Sequence, residues 1–136
     1  MKAKELQIFD WVSYKGNPIM VFEIDEPEHN INTEQDGYNA IRCISIDEIQ
    51  PISLTPKILL KNGFEKNGSY YILNECIEDG EDVIEHYEII YYNDGFCSVQ
   101  NIVTEDEISF YCPNVHQLQQ AMRLCGIDKE IILEGK

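Results

Sequence analysis

The sequence predicts an α+β protein: an N-terminal small SH3-like β-barrel, a short linking helix, and a C-terminal antiparallel β-meander packed by one helix. Three observations predict it. Residues 1–53 fall into four or five short β-prone runs parted by turn formers, the pattern of a small half-closed or closed barrel. "SLTPKILLKNGF", Ser53 to Phe64, carries both the start and the stop signals of a two-turn helix. Residues 64–112 alternate hairpin signals with aromatic-rich runs and lead into one amphipathic stretch. The expected division is therefore a barrel lobe over 1–53, the linking helix over 54–63, and an acidic sheet-plus-helix lobe over 64–136.

In the first lobe, Trp11–Tyr14 and Ile19–Ile24 flank Lys15-Gly16-Asn17-Pro18, where Gly allows a positive φ and Pro fixes a negative one. That is a hairpin. "EPEHNINTEQDGYN", Glu26 to Asn39, is rich in acids and turn formers and reads as an exposed loop. Ala40–Ile46 alternates as a strand, with Ile41, Cys43 and Ser45 on one side and Arg42, Ile44 and Ile46 on the other. Asp47-Glu48 turns the chain into a last short strand, Ile49–Ile52, which Pro51 marks as an edge.

The helix grammar is explicit. Thr55 is the N-cap, Pro56 suits the first helical position, Asn62 ends the helix and Gly63 takes the left-handed conformation beyond it. Phe64 is then expected to fold back on Leu59. So short a helix is unstable alone, so Ile58 and Leu59 must pin it to a sheet.

Beyond it, Asn67-Gly68 signals one hairpin, and Asn93-Asp94-Gly95 joins Glu85–Tyr92 to Phe96–Val103 in a second. Ile108–Cys112 adds a strand, and Tyr71, Tyr87, Tyr91 and Phe110 give the meander its aromatic content. Asn114 caps the closing helix and Gln117 completes a capping-box-like pair. Val115, Leu118, Ala121, Met122 and Cys125 form its apolar face. Gly126 stops it, Ile127 returns to Met122, and Ile131–Leu133 is expected as a final edge strand.

"DWVSYKGNPIMVFEI", "IQPISLTPKILLKNGF" and "VHQLQQAMRLCGIDKEI" together give the chain a recognisable outline. It resembles a group of small uncharacterised proteins of gut Bacteroidales genomes, prophages and mobile elements. The resemblance spans nearly the whole chain and is weakest in the two acidic loops. It implies a bacterial or phage-encoded accessory protein of the cytoplasm and brings no catalytic or ligand-binding residue with it.

Composition bounds the chemistry. With 136 residues, 43% apolar and 26% charged, the chain is built to fold rather than to stay disordered. No apolar run approaches the roughly 20 residues of a membrane span, and Met1–Phe9 lacks the apolar core of a signal peptide, so a cytoplasmic protein without a membrane partner is expected. The five cysteines, Cys43, Cys76, Cys97, Cys112 and Cys125, are odd in number and form no C-x-x-C. A disulfide framework and a zinc ribbon are both disfavoured, and most of these thiols are expected as small core residues.

Charge is the strongest signal. The net charge is −15 and the pI about 4.3, with −4 over residues 1–62 and −11 over 63–136. Such a surface repels phosphate, so direct nucleic-acid binding is disfavoured. Glu75 to Glu88, "ECIEDGEDVIEHYE", holds seven acids in fourteen residues. A solvated loop and strand face accounts for it; a divalent-cation site, or a metal-dependent enzyme built on it, is the sharper alternative. As an EF-hand it fails, because Gly80 at the sixth position puts Ile77 on the third and His86 on the twelfth. A further alternative is a nucleic-acid mimic whose carboxylates occupy the basic groove of a DNA-binding partner.

Catalytic signatures are missing: there is no P-loop, G-x-G-x-x-G, G-x-S-x-G or H-E-x-x-H. Gly63 leads into a hairpin, so the first helix is not half of a helix-turn-helix. Cys112 and His116 stand four apart, but no orienting third group accompanies them, and His116 reads as a surface or packed residue. His29 and His86, flanked by acids, read as exposed. The preferred expectation is a non-catalytic protein-binding accessory module, without cofactor or metal, whose partner is an unidentified protein, a basic one best fitting the charge. Its candidate interaction surface is Glu75, Glu78, Asp79, Glu81, Asp82, Glu85, Glu88, Tyr91 and Tyr92.

Overall fold

A computed structural model describes residues 1–33, 41–80 and 82–133; the side chains at 41–42, 77–79 and 82–84 lie outside that description. The protein is mostly β, with three antiparallel sheets, none closed among the described residues, and two α-helices, which makes it α+β. Two compact units share the chain: Met1–Ser53 with Asn114–Ala121, and Leu54–Pro113 with Met122–Lys136.

The first unit holds β1 (Trp11–Tyr14), β2 (Asn17–Met20), β3 (Glu23–Asp25), β4 (Asn30–Thr33), β5 (Ile41–Ser45) and β6 (Ile49–Gln50). They make two sheets, β2-β1-β6 and β3-β4-β5. Lys15 and Gly16, with φ of 50° and 80°, form the tight β1–β2 turn, so Pro18 lies inside the edge strand β2 opposite Ser13. The run expected as one strand over Ile19–Ile24 is split between the two sheets. A larger correction concerns Glu26–Asn39: it is not all loop, because Asn30–Thr33 is the central strand of its sheet, with Ile31 fully buried. Its Asn and Thr neighbours mask the strand signal. The rest of that segment, 34–40, lies outside the described residues. Leu6, Val12, Ile19, Val21, Ile31, Ile44, Ile46 and Ile49 form the core of this unit.

The first two turns of α2 (Val115–Leu124) belong to the same unit. Gln119 clasps the N-terminal segment: its Oε1 accepts from the Trp11 amide at 2.8 Å, and its Nε2 donates to the Phe9 carbonyl at 3.1 Å. Gln120 Nε2 donates to the Glu5 carbonyl and to the fully buried Asp10 carboxylate, at 2.8 and 2.7 Å. A buried carboxylate is costly unless its oxygens are met by donors, and the Gln7 amide supplies another at 2.8 Å. Val115, Leu118, Ala121 and Met122 are buried as their spacing requires, and Cys125 is half-buried. The Asn114 amide donates to Gln117 Oε1 at 3.1 Å, one arm of the expected capping box.

The second unit opens with α1 (Pro56–Lys61). Thr55 Oγ1 accepts from the Ile58 amide at 3.3 Å, Gly63 has φ of 90°, and the Phe64 amide returns to the Leu59 carbonyl at 3.1 Å, with both side chains buried. Then come β7 (Glu65–Asn67), β8 (Tyr70–Asp79), β9 (Asp82–Tyr92), β10 (Phe96–Asn101) and β11 (Glu107–Tyr111), in the order β11-β10-β9-β8-β7. Asn67 pairs with Tyr70, so Gly68-Ser69 makes the first turn, one residue later than expected. Ile131–Leu133 is not a strand. It is held instead by Asn62, whose Nδ2 donates to the Ile132 carbonyl at 2.8 Å and whose Oδ1 accepts from the Ile132 amide at 2.6 Å. No helix among the described residues is long and apolar enough to cross a membrane.

Candidate functional site

Successive residues of a strand point to opposite faces, and the register across β8–β11 shows which side chains share one. Tyr71, Leu73, Tyr87, Ile89, Tyr91, Cys97 and Val99 point to the buried face. On the other face Tyr70 stands opposite Tyr92, and Phe96 opposite Tyr111. Tyr92 and Phe96 each lie one residue beyond the Tyr91↔Cys97 pair, so all four rings form one row across four adjacent strands. The ring centroids are 5.9 Å apart for Tyr70 and Tyr92 and 5.4 Å for Phe96 and Tyr111. Tyr92, Phe96 and Tyr111 remain 39%, 47% and 58% exposed. Large aromatic rings left in water in a row are the feature of this face that folding alone does not explain.

Two further rows complete it. Ile72, Ile90, Ser98 and Ser109 lie next along the strands, followed by Asn74, Glu88, Gln100 and Glu107. Ser98 Oγ donates to Glu107 Oε1 at 3.0 Å and so orients that carboxylate. Asp94 sits in the turn beside the aromatic row, where its Oδ1 accepts from the Phe96 amide at 3.1 Å. The row also explains Gly95: its φ of 91° is left-handed, and a Cβ there would stand 2.8 Å from Cε1 of Tyr111.

The expected surface residues separate under this register. Glu88 and Tyr92 lie on the open face. Tyr91, expected as exposed, is buried on the opposite one, because it alternates with Tyr92. Half-buried Glu75 lies opposite Tyr87 and meets Lys129 Nζ at 3.5 Å, while Glu85 accepts from the Tyr87 hydroxyl at 3.1 Å. Glu78, Asp79 and Asp82 sit at the end of the β8–β9 hairpin, their side chains outside the description, and Glu81 is outside the described residues altogether. Tyr70, Phe96 and Tyr111 were not singled out by sequence. The signal that finds them is register: Tyr70 and Phe96 each follow a turn, the turn positions set the pairing, and the pairing puts Tyr111 opposite Phe96.

At the β10–β11 edge a pocket of about 160 Å³ is lined by Tyr87, Val99, Asn101, Asp106, Glu107, Ile108 and Cys125. Burial, reinforced by the hydrogen bond to Glu85, raises the Tyr87 phenol above its ordinary pKa, and burial also raises the Cys125 thiol. Both are thus held protonated at neutral pH, the opposite of an activated nucleophile. Cys97 is raised as well, by its hydrogen bond with Cys112 and by burial. His116, expected as surface or packed, is packed at 3% exposure; burial lowers its pKa although Asp10 and Glu5 pull the other way. Cys43 and Cys76 are exposed, which corrects the expectation that most thiols are core residues: Cys43 lies within the β4–β5 register shift with φ of 59°, and Cys76 faces out opposite His86. His86 Nε2 donates to Asn74 Oδ1 at 3.2 Å, and His29 pairs with Asp47 at 3.0 Å. Among the described residues no three His, Cys, Asp or Glu side chains converge as metal ligands would.

Comparison with protein-family models, with curated proteins and with solved structures returns no match to the chain.

Proposed function

We propose that the protein is a non-catalytic protein-binding accessory module that presents an acidic surface to its partner. The observation that carries this reading is the open face of the five-stranded sheet: exposed aromatic rings beside carboxylates, in the half of the chain with a net charge of −11. Aromatic rings give an interface large contact area at low entropic cost, and excess charge steers an oppositely charged partner.

The finer architecture belongs to the same reading. Six short antiparallel strands around one apolar core support an SH3-like N-terminal unit, and the resemblance to proteins of Bacteroidales prophages and mobile elements suits a cytoplasmic accessory role. The test is recovery of partners from bacterial lysate on the immobilised protein, washed at low and then high salt. A basic protein retained by the wild type, released by salt and lost with Phe96→Ala/Tyr111→Ala is expected. Equal retention by that variant would move the surface elsewhere, and retention of nothing would sink the reading.

A further inference from the structure

The three rows of the open face differ in chemistry, and their spacing is set by the strands. Tyr92 to Glu88 and Tyr111 to Glu107 are each four residues apart, about 13 Å at roughly 3.3 Å per residue, with Ile90 and Ser109 halfway. An extended peptide has the same rise, so its residues i, i+2 and i+4 meet the three rows in turn. The register puts Glu65, Glu88 and Glu107 on this face, with Asp94 in the adjoining turn, and Lys66, the one Lys or Arg of residues 65–111, opposite Tyr71 on the other face. Charge complementarity therefore selects a cationic occupant.

Resting on the protein-binding reading above, we infer that the aromatic row Tyr70, Tyr92, Phe96 and Tyr111, with Glu88 and Glu107, is a docking site for an extended arginine-containing segment of the partner, with arginines at i and i+4 and an apolar residue at i+2. One guanidinium stacks on the aromatic row, where rings and the Asp94 carboxylate both favour a cation. The apolar side chain covers Ile72 and Ile90. The second guanidinium reaches Glu88 and Glu107, the latter already oriented by Ser98. Arginine fits both ends better than lysine, because its planar group stacks on rings and pairs with two oxygens at once. Nucleic acid is the wrong occupant here, since its phosphates would face carboxylates without compensating cations.

The probe is the capped peptide Gly-Arg-Ser-Val-Ser-Arg-Gly, titrated into the isotope-labelled protein and followed by amide shifts. Saturable, salt-sensitive binding is expected, about five- to tenfold weaker for Phe96→Ala/Tyr111→Ala and for Glu88→Gln/Glu107→Gln. Equal binding of a peptide with citrulline for arginine, or of one with arginines at i and i+3, overturns the inference. So does unchanged affinity in both variants. Well-dispersed spectra establish that each variant is folded; should the aromatic pair fail, the carboxylate pair, which removes charge and keeps size, decides. If the peptide does not bind while the lysate partner is still lost with the aromatic variant, this inference falls and the protein-binding reading stands; retention of no partner sinks both.

Discussion

At the scale of residues, burial decides reactivity. Cys97 and Cys112 are fully buried, whereas Cys43 and Cys76 are exposed. A thiol reagent at neutral pH should modify Cys43 and Cys76 quickly and reach Cys97 and Cys112 only on unfolding, as a time course read by mass would show; rapid modification of Cys97 would contradict its burial. His116 gives a pH dependence of known sign. Burial lowers its pKa in the folded state below the roughly 6.5 of the unfolded chain. Below about 6.5 the unfolded chain binds the proton and the folded one does not, so this contribution to stability is complete above that pH and is lost as pH falls through the folded pKa. Urea midpoints at pH 7.5 and 5.5 should drop less in His116→Gln than in the wild type. An identical drop would assign the effect to other groups. Neither the thiol environments nor the Asp10 cluster was legible in the sequence, because Gln119, Gln120 and Asp10 are brought together across more than a hundred residues.

Elements with local signals were legible. α1 follows from Thr55, Pro56, Asn62 and Gly63, all within nine positions, and α2 from its apolar spacing and its Asn114, Gln117 and Gly126 ends. Hairpins were legible to within a residue, but the faces of their strands were not: adjacent Tyr91 and Tyr92 were both expected in water, although successive strand residues point opposite ways, and Tyr91 is the buried one. β4 was missed because polar Asn30, Asn32 and Thr33 surround its one large apolar residue, Ile31. Asn62 was read as a helix stop alone, yet it also joins α1 to the segment around Ile132. Asn62 is buried and Asn62→Ala removes all three of these bonds, so a loss of roughly 1–3 kcal/mol is expected by urea unfolding. A loss below about 0.5 kcal/mol would mean that water replaces the amide.

For the whole molecule, charge and register together define the candidate surface. Counting acids points to the more acidic half of the chain and to the run from Glu75 to Glu88; pairing places the exposed aromatic row on the open face of the sheet, with Glu88 two rows away. A run of charge along the sequence spreads over both faces of a hairpin, as Glu75 and Glu85 on one side and Glu88 on the other demonstrate. The most direct test of the central claim is amide-shift mapping of the labelled protein with the salt-released partner. The account predicts perturbations concentrated on residues 70–74, 88–92, 96–100 and 107–111, lost when Phe96 and Tyr111 are changed to Ala. Perturbations confined to the hairpin end at 78–82, or to the first unit, would contradict it.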